Sequence, residues 1–319
     1  MAKNGNSGSD STPPNTPPDN PITTFVDQFD LAYSRPSYDV KKEDIGGLES
    51  ILDKLEAFEM GIKHGSLYTF MGITPPNGFI LSGEPGTGKT FIAKYLAQNL
   101  GARFVDLPLN EYESKWVGEA EKALSGHIEN MRRYYRITNQ KVLLFFDEAE
   151  EAFKDRNLQG WHGPRVNVLL REMDGLGDNR GIIFGAATNH IDKVDPALLR
   201  AGRFDFKIQM PEYDGKMLAE VYVAVAQRLN RKAPHHDPYF ITLDEAKQLG
   251  QMAQSRRLSP ADISEVFRLT AEEKVKQMVK TDKKVFESDD YIVVAKDLER
   301  AMEQYKKKEE KKRIGFNLP

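Results

Sequence analysis

Short apolar runs alternate with helical patterns through the middle of the chain. Runs that fit buried strands lie at residues 78–81, 103–107, 141–146 and 181–187. The spacing of apolar residues predicts a helix directly after the first run, at residues 91–100. Continuous apolar strands separated by helices favour a parallel sheet covered on both faces. The pattern therefore predicts an α/β domain at residues 40–211.

After Pro211 the apolar positions recur at helical spacing throughout. Helices are predicted near residues 215–230, 243–255, 259–281 and 295–308. This pattern indicates a second, helical domain at residues 212–305. The charged residues of the C-terminal tail, 306–319, are typical of a solvated helix end, although a binding role is an alternative.

The N-terminus has a different composition. Residues 1–21 carry five prolines and almost no apolar side chains, so they cannot bury enough surface to offset the entropy of ordering. We expect a disordered tail. Residues 22–39 contain Phe25, Phe29, Tyr33 and Tyr38, which indicates a docking segment or linker that is too short to fold as a separate domain.

Composition excludes several classes of protein. The 319 residues carry a formal net charge of −3, so no general basic field indicates a nucleic-acid partner. Cysteine is absent, which excludes disulfides, thiol catalysis and thiolate metal sites. No apolar stretch approaches the roughly 20 residues that cross a bilayer, and no signal peptide is evident. We expect a soluble cytoplasmic protein without a membrane span.

The most specific motif is Gly-Glu-Pro-Gly-Thr-Gly-Lys-Thr at residues 83–90. Its glycines allow a tight turn in which successive backbone N–H groups face one concavity, and this suits phosphate oxygens. The motif follows a predicted strand and precedes a predicted helix, as a phosphate loop (P-loop) does. Lys89 is expected at the β- and γ-phosphates and Thr90 at Mg²⁺. The alternative is a glycine turn with an incidental lysine.

Two carboxylates follow the apolar run that ends at Phe146. Asp147 is expected to hold Mg²⁺, usually through water, and Glu148 to orient and deprotonate the attacking water. An Asp-Glu pair alone is a weak signal because helix starts often carry one. Its place after a buried strand, downstream of a phosphate loop, favours the catalytic interpretation.

With these motifs in order, the chain from Tyr38 to Gln304 resembles the AAA ATPases, in particular the branch with katanin, spastin, the AAA proteases and the ubiquitin-directed segregases. Residues 44–48 (DIGGL) resemble the adenine-side motif, and residues 187–189 (ATN) resemble the sensor-1 segment, which implies that Asn189 positions water or the γ-phosphate. The resemblance implies an α/β P-loop domain with a parallel sheet, followed by a small helical lid. The nucleotide-binding residues it implies are Asp44, Ile45, Gly46, Glu84, Pro85, Gly86, Thr87, Gly88, Lys89, Thr90, Phe91, Pro260 and Ala261.

The segment at residues 195–205 resembles the arginine-finger segment of the family. The resemblance implies that Arg200 and Arg203 act on the nucleotide of a neighbouring subunit, in a homo-oligomeric ring that is expected to be a hexamer. A guanidinium group is always charged and forked, which suits the charge of phosphoryl transfer. Taken alone, the two arginines would more often form salt bridges.

Residues 114–119 (SKWVGE) resemble the pore loop with which the family grips polypeptide. The resemblance implies that Trp116, Val117 and Gly118 contact substrate, whereas a Trp-Val pair elsewhere is usually core. Residues 154–163 would be a second pore loop. Its Trp161 and His162 have alternatives, a packed tryptophan and a solvent-exposed histidine.

Two positions depart from the family pattern. Glu84 replaces the usual proline and places a carboxylate near the phosphates. Pro260 replaces a glycine that normally allows the lid to approach adenine, although proline is acceptable at a first helical position.

These features predict a magnesium-dependent ATPase that forms a ring and pulls a protein substrate, or a substrate carried by an adaptor, through a central pore. The absence of a His-Glu-x-x-His motif indicates that the chain is not itself a protease. One alternative is a nucleotide-dependent assembly factor or scaffold that does not thread its partner. A DNA-directed AAA motor is another, which the acidic pI and the aromatic loop disfavour.

Overall fold

The computed structural model describes residues 21–33, 39–107, 117–154, 163–174, 181–233, 237–280 and 291–315. Residues 1–35 and residues 36–319 form two compact units. Helix α1, Pro21–Ala32, belongs to the first unit. Its Phe29 ring lies 4.6 Å from that of Tyr33 and 6.2 Å from that of Phe25. The predicted tail lies outside the described residues apart from Pro21, and the docking role of residues 22–39 stays a prediction.

A five-stranded sheet forms the centre of the second unit. Its strands are β1 Gly78–Ser82, β2 Arg103–Asp106, β3 Val142–Phe146, β4 Ile182–Thr188 and β5 Phe204–Gln209, in the order β2-β3-β4-β1-β5. All four neighbouring pairs are parallel. The predicted parallel sheet is therefore confirmed, with β5 as an additional edge strand.

Strand β5 was not predicted because it has no continuous apolar run. Phe204 and Ile208 are buried, whereas Lys207 between them is exposed. The mixture is typical of an edge strand with one face toward the core. Strands β3 and β4 are instead buried along their whole length.

Helices connect the strands. They are α2 Glu49–Lys63, α3 Gly65–Phe70, α4 Lys89–Asn99, α5 Val117–Thr138, α6 Ala149–Ala152 and α7 Gly163–Met173. Short 3₁₀ turns lie at Lys42–Asp44 and Ile191–Lys193. Residues of α2 and α4, such as Leu55 and Ile92, share one core cluster with strand residues such as Leu81 and Phe145. Because the sheet is parallel, the carboxyl ends of its strands meet at one edge.

The four predicted C-terminal helices are confirmed. They are α8 Gly215–Lys232, α9 Leu243–Ser255, α10 Pro260–Lys280 and α11 Ala295–Gly315. A second core cluster joins all four helices through residues such as Tyr222, Leu249, Phe267 and Leu298. The α/β fold followed by helices is as predicted. Residues 36–319 form one unit, so the domain boundaries at 211 and 305 stay predictions.

Over the ranges given above, no helix is both long and apolar enough to cross a membrane.

Candidate nucleotide-binding site

The phosphate loop connects β1 to α4 at the carboxyl edge of the sheet. Gly86 and Gly88 have φ of 77° and 93°, in the left-handed region that glycine adopts without strain. Gly88 is the N-cap of α4, so the first N–H groups of that helix open at the loop. A Cβ at Gly86 would lie 2.5 Å from Ser259 Oγ. Backbone conformation and space therefore both require glycine here.

Lys89 lies under this loop with 8% of its surface exposed. Its ammonium donates hydrogen bonds to the carbonyl oxygens of Gly83 at 2.7 Å and Glu84 at 2.9 Å, and to Asn189 Oδ1 at 2.7 Å. Burial lowers the pKa of Lys89, and the nearby carboxylates of Asp147, Glu150 and Glu84 oppose that effect. The lysine charge thus lies where the loop and neighbouring strand ends converge.

Asp147 and Glu148 follow strand β3 directly and are exposed. Thr90 Oγ1 donates a 2.8 Å hydrogen bond to Asp147 Oδ2, which brings the two expected metal ligands together. Glu148 is the N-cap of α6 with φ of 51°, and its N–H donates to Asp147 Oδ1 at 3.0 Å. Within the described ranges, no group of three or more acidic, histidine or cysteine side chains could hold a metal ion.

Asn189 follows the last residue of β4, which is hydrogen-bonded to β3. Asn189 therefore lies at the end of the strand that neighbours β3, the strand that Asp147 follows. Its backbone N–H donates to Glu150 Oε1 at 3.0 Å. Glu150 is buried in α6 with 4% of its surface exposed. The sequence reasoning did not include Glu150, although it is the third acidic residue in the run after β3.

Asp44 is buried, and both of its carboxylate oxygens have partners. Oδ1 forms an ion pair with Arg231 of α8, and Oδ2 accepts the Lys41 N–H at 2.9 Å. Ile45 and Gly46 line a cavity of about 410 Å³ together with α8 residues that include Ala219 and Val223. Neither Asp44 nor the described phosphate-loop residues line this cavity.

Gly46 touches the backbone of α8 directly. A Cβ at this position would lie 2.4 Å from the carbonyl carbon and oxygen of Glu220. The Asp44 ion pair to Arg231 attaches the same segment to the same helix about three turns further along.

The segment before α8 and the start of α10 both contact the phosphate loop. Ala261 N–H donates to the carbonyl oxygen of Gly86 at 3.1 Å, and Tyr213 hydroxyl donates to that of Thr87 at 3.1 Å. Pro260 is the first residue of α10, where a missing N–H costs nothing. Ser259 and Asp262 cap that helix reciprocally, with hydrogen bonds of 2.8 and 3.2 Å.

The remaining expected nucleotide-binding residues lie around the loop. Glu84 and Pro85 are exposed, so the unusual carboxylate points to solvent rather than into the core. Thr87 Oγ1 donates to the Glu84 carbonyl oxygen at 2.8 Å and closes the turn. Phe91 lies under the guanidinium of Arg228 at 5.1 Å from the ring centre.

The two candidate arginine fingers have different environments. Arg203 forms a bidentate ion pair with Asp174, with Nε 2.6 Å from Oδ1 and Nη2 2.7 Å from Oδ2. Its Nη1 donates to the Ala197 carbonyl oxygen at 2.5 Å. The hydrogen bonds from Arg203 lower the pKa of Asp174. Arg200 is exposed and forms no ion pair with the described residues.

Arg203 lies beside the opposite edge of the sheet from the phosphate loop. A Cβ added to Gly78, the first residue of β1, would lie 3.0 Å from the Arg203 carbonyl oxygen. The loop follows the other end of this five-residue strand, roughly 15 Å away at about 3.3 Å per residue. Arg203 is thus far from the phosphate loop of its own chain.

A family model, "ATPase family associated with various cellular activities (AAA)", matches residues 79–212. That range contains the phosphate loop, the carboxylates after β3, Asn189 and both arginines. Residues 79–212 of this chain therefore form an AAA domain.

This chain is also similar in sequence to known proteins, and these similarities agree with the family match. It is 42% identical over 181 residues to Protein SAV of Sulfolobus acidocaldarius, covering 55% of this chain and 22% of that protein. It is 31% identical over 280 residues to a probable 26S proteasome regulatory subunit 6B of Caenorhabditis elegans, covering 85% and 60%. It is 36% identical over 204 residues to a proteasome-activating nucleotidase of Methanococcus maripaludis, covering 61% and 48%. The matched segments thus span 22% to 60% of these proteins.

The expected pore residues of the AAA domain fall at the margin of the described residues. Trp116, with Trp161 and His162 of the second loop, lies outside them. Val117 and Gly118 are the first two residues of α5. Substrate contact by these residues stays a prediction.

Proposed function

We propose that this AAA chain binds ATP with magnesium and hydrolyses it. The observation that carries the proposal is the convergence of Lys89, Asn189 and the Thr90–Asp147 pair beside the phosphate loop. A buried lysine, a hydroxyl beside a carboxylate and an open helix N-terminus are what a nucleoside triphosphate and its metal require.

The residues present fit a magnesium ion. Thr90 Oγ1 and Asp147 Oδ2, 2.8 Å apart, supply hard oxygen ligands, and Mg²⁺ binds through one or two such groups plus phosphate and water. The described residues contain no cluster of three or more acidic, histidine or cysteine ligands, which is consistent with an ion held mainly by phosphate and water. When bound, the ion would neutralise charge that develops in phosphoryl transfer.

Glu148 is the proposed general base. It is exposed at the carboxyl end of β3, next to the Asp147 carboxylate that would hold the metal. Its left-handed backbone, with φ of 51°, is uncommon for a residue with a side chain and is a feature often found at functional positions. Asn189 would orient the water or the γ-phosphate from the neighbouring strand.

The base of the nucleotide is proposed to bind near Ile45 and Gly46. These residues and the small side chains of Ala219 and Val223 line the cavity of about 410 Å³. Asp44 contributes by holding the turn on α8 through Arg231. Phe91, Pro260 and Ala261, which do not line this cavity, would contact the nucleotide from the phosphate loop and the start of α10.

Assembly into a ring is proposed because one chain does not bring the arginines to its own phosphate loop. The geometry of β1 separates Arg203 from that loop. Exposed apolar side chains lie in the segment that leads into the same end of β1, with Phe70 and Met71 exposed to 88% and 71%. Large exposed apolar side chains close together often mark a protein interface, and they support contact with a second copy of this chain.

The proposed substrate is a polypeptide. Two relatives carry names that refer to the proteasome. Trp116 belongs to the sequence segment that resembles the pore loop of the family. A large flat side chain can hold extended chain with little sequence preference. We propose that the chain acts in the cytoplasm on a protein substrate, or on a protein substrate brought by an adaptor.

The deciding experiment compares the wild-type chain with Glu148→Gln and with Glu151→Gln, an exposed control in the same helix. Glu148→Gln should bind MgATP with near wild-type affinity, lose at least 100-fold in turnover, and sediment as rings at micromolar concentration. Glu151→Gln should behave as wild type. Turnover by Glu148→Gln at the wild-type rate would overturn the assignment of the base.

A second comparison separates threading from scaffolding. Trp116→Ala should keep ATP turnover within about threefold and lose unfolding of a fluorescent test protein carrying a flexible tail. Unchanged unfolding by this variant would favour the scaffold or assembly-factor alternative. Tight, salt-sensitive binding to duplex DNA would favour the DNA-directed motor.

A further inference from the structure

Glu150 is a buried carboxylate that the proposed reaction does not yet use. It has 4% of its surface exposed, in the second position of α6. Buried carboxylates are rare without partners because desolvation disfavours their charge. Oε1 accepts the Asn189 N–H at 3.0 Å, and Oε2 is buried with no hydrogen-bond partner in the part of the chain that the structure describes.

The partner of Glu150 is itself in contact with the lysine of the phosphate loop. Asn189 receives the ammonium of Lys89 on its side-chain oxygen at 2.7 Å and gives its backbone N–H to Glu150 at 3.0 Å. Asn189 therefore lies between the Lys89 ammonium and the Glu150 carboxylate and forms a hydrogen bond with each. The Glu150 charge also acts on Lys89 directly, because it is among the carboxylates that oppose the burial effect on the lysine pKa.

Glu150 also lies two residues after Glu148, in the helix that Glu148 caps. Its contact with Asn189 joins this helix to the end of β4. General base and sensor must act on one water molecule, so their separation has to be fixed to a fraction of an ångström. No other side-chain hydrogen bond described here joins α6 to Asn189.

We propose that Glu150 is a positioning residue, which fixes the position of Asn189 relative to Glu148 and Lys89. The proposal rests on the proposed ATPase function. An apolar side chain at position 150 would leave the Asn189 N–H without its acceptor, so the contact between α6 and the end of β4 requires a polar residue here.

The test is a double-variant cycle on the full chain with MgATP. The variants are Glu150→Ala, Glu150→Gln, Asn189→Ala and the two combinations with Asn189→Ala, and Glu151→Gln serves as the control. We expect Glu150→Ala to lower kcat about tenfold while the dissociation constant of ATP stays within about twofold. Glu150→Gln keeps an acceptor oxygen for the Asn189 N–H, so it should recover most of kcat.

Non-additivity is the decisive result. Asn189→Ala keeps the backbone N–H but removes the side chain that Glu150 is proposed to position. Adding Glu150→Ala to Asn189→Ala should therefore cost less than about twofold in kcat. Should Glu150→Ala fail to fold, the Glu150→Gln pair decides, because its smaller loss should also vanish in the Asn189→Ala background.

Additive losses in kcat, or weaker ATP binding with kcat unchanged, would overturn the role of Glu150. A Glu150→Gln variant with full loss of activity would overturn it too, because the charge rather than the hydrogen bond would then matter. Failure of the proposed function has a different signature: the wild-type chain would bind MgATP without any turnover, and the positioning role would fall with it.

Discussion

Lys89 Nζ donates a 2.7 Å hydrogen bond to Asn189 Oδ1 across 100 positions of the sequence. This contact joins the phosphate loop after β1 to the end of β4, the neighbouring strand. The residue that should bind phosphate and the residue that should sense it are thus in direct contact. We therefore expect a charge introduced at position 189 to change where the lysine ammonium lies.

Substitution of Asn189 tests this expectation. Asn189→Asp places a carboxylate beside the buried ammonium, and the resulting ion pair should hold Lys89 away from phosphate. ATP affinity should fall at least tenfold by titration calorimetry, whereas Asn189→Ala should leave it within about threefold and lower kcat instead. Equal affinities for the two variants would contradict the expected effect.

The two arginines should separate when each is replaced by alanine. Arg203 is held by Asp174 and the Ala197 carbonyl oxygen, whereas Arg200 is exposed. Arg203→Ala should lower both the free energy of unfolding, by about 1 to 2 kcal/mol, and ATP turnover. Arg200→Ala should lower turnover alone, with the melting temperature unchanged. Thermal unfolding and turnover, each measured on both variants, provide the check.

Arginine fingers that act on a neighbouring subunit should allow two variants with low turnover to restore hydrolysis when they are mixed. Mixing Arg200→Ala with Glu148→Gln subunits should restore some hydrolysis, because mixed rings would contain interfaces with one intact pocket and one intact finger. The two variants assayed separately are the controls. Absence of any rescue in rings shown by sedimentation to be mixed would argue against action on the neighbour.

The Asp174–Arg203 pair should stabilise the fold in a pH-dependent way. The pKa of Asp174 lies below its ordinary value because Arg203 donates hydrogen bonds to it, so the folded state binds this proton more weakly than the unfolded state. The contribution is therefore fully present above the unfolded pKa of about 3.9 and is lost as the pH falls through the folded value. Asp174 is partly exposed, so about 1 kcal/mol or less is expected.

Denaturation in urea measures this difference. The Asp174→Asn variant should be less stable than wild type at pH 7, and the gap between them should close on acidification below about pH 4. A gap that stays constant from pH 7 to pH 3 would mean that the pair does not contribute through the carboxylate charge.

The C-terminal helix reaches the nucleotide site through one hydroxyl. Tyr305 of α11 donates a 2.5 Å hydrogen bond to Asp262 Oδ1, and Asp262 caps the start of α10, where Ala261 contacts Gly86. Tyr305→Phe should cost about 1 to 2 kcal/mol of stability and weaken ATP binding a few-fold. Tyr291→Phe, a tyrosine outside this chain of contacts, is the control. Unchanged ATP affinity with lowered stability would limit the contact to the fold.

Sequence patterns predicted the parts of this structure that depend on local spacing. The phosphate loop, four apolar strands and four C-terminal helices all have signals within 10 to 20 consecutive residues. Strand β5 escaped because Lys207 interrupts its apolar positions at the sheet edge. The residue types of Glu150 and Asp174 give no hint that one is buried and the other holds Arg203. Those properties arise only when β3, β4 and α7 come together in space.

The backbone contact at Gly46 has a mechanical consequence. Side chains can absorb a displacement by changing rotamer, but none lies between Gly46 and the backbone of Glu220, because even a methyl group would overlap it. We therefore expect a displacement of Gly46 to move α8 with it. A movement of α8 should therefore also displace Ile45 and Gly46, which line the adjoining cavity.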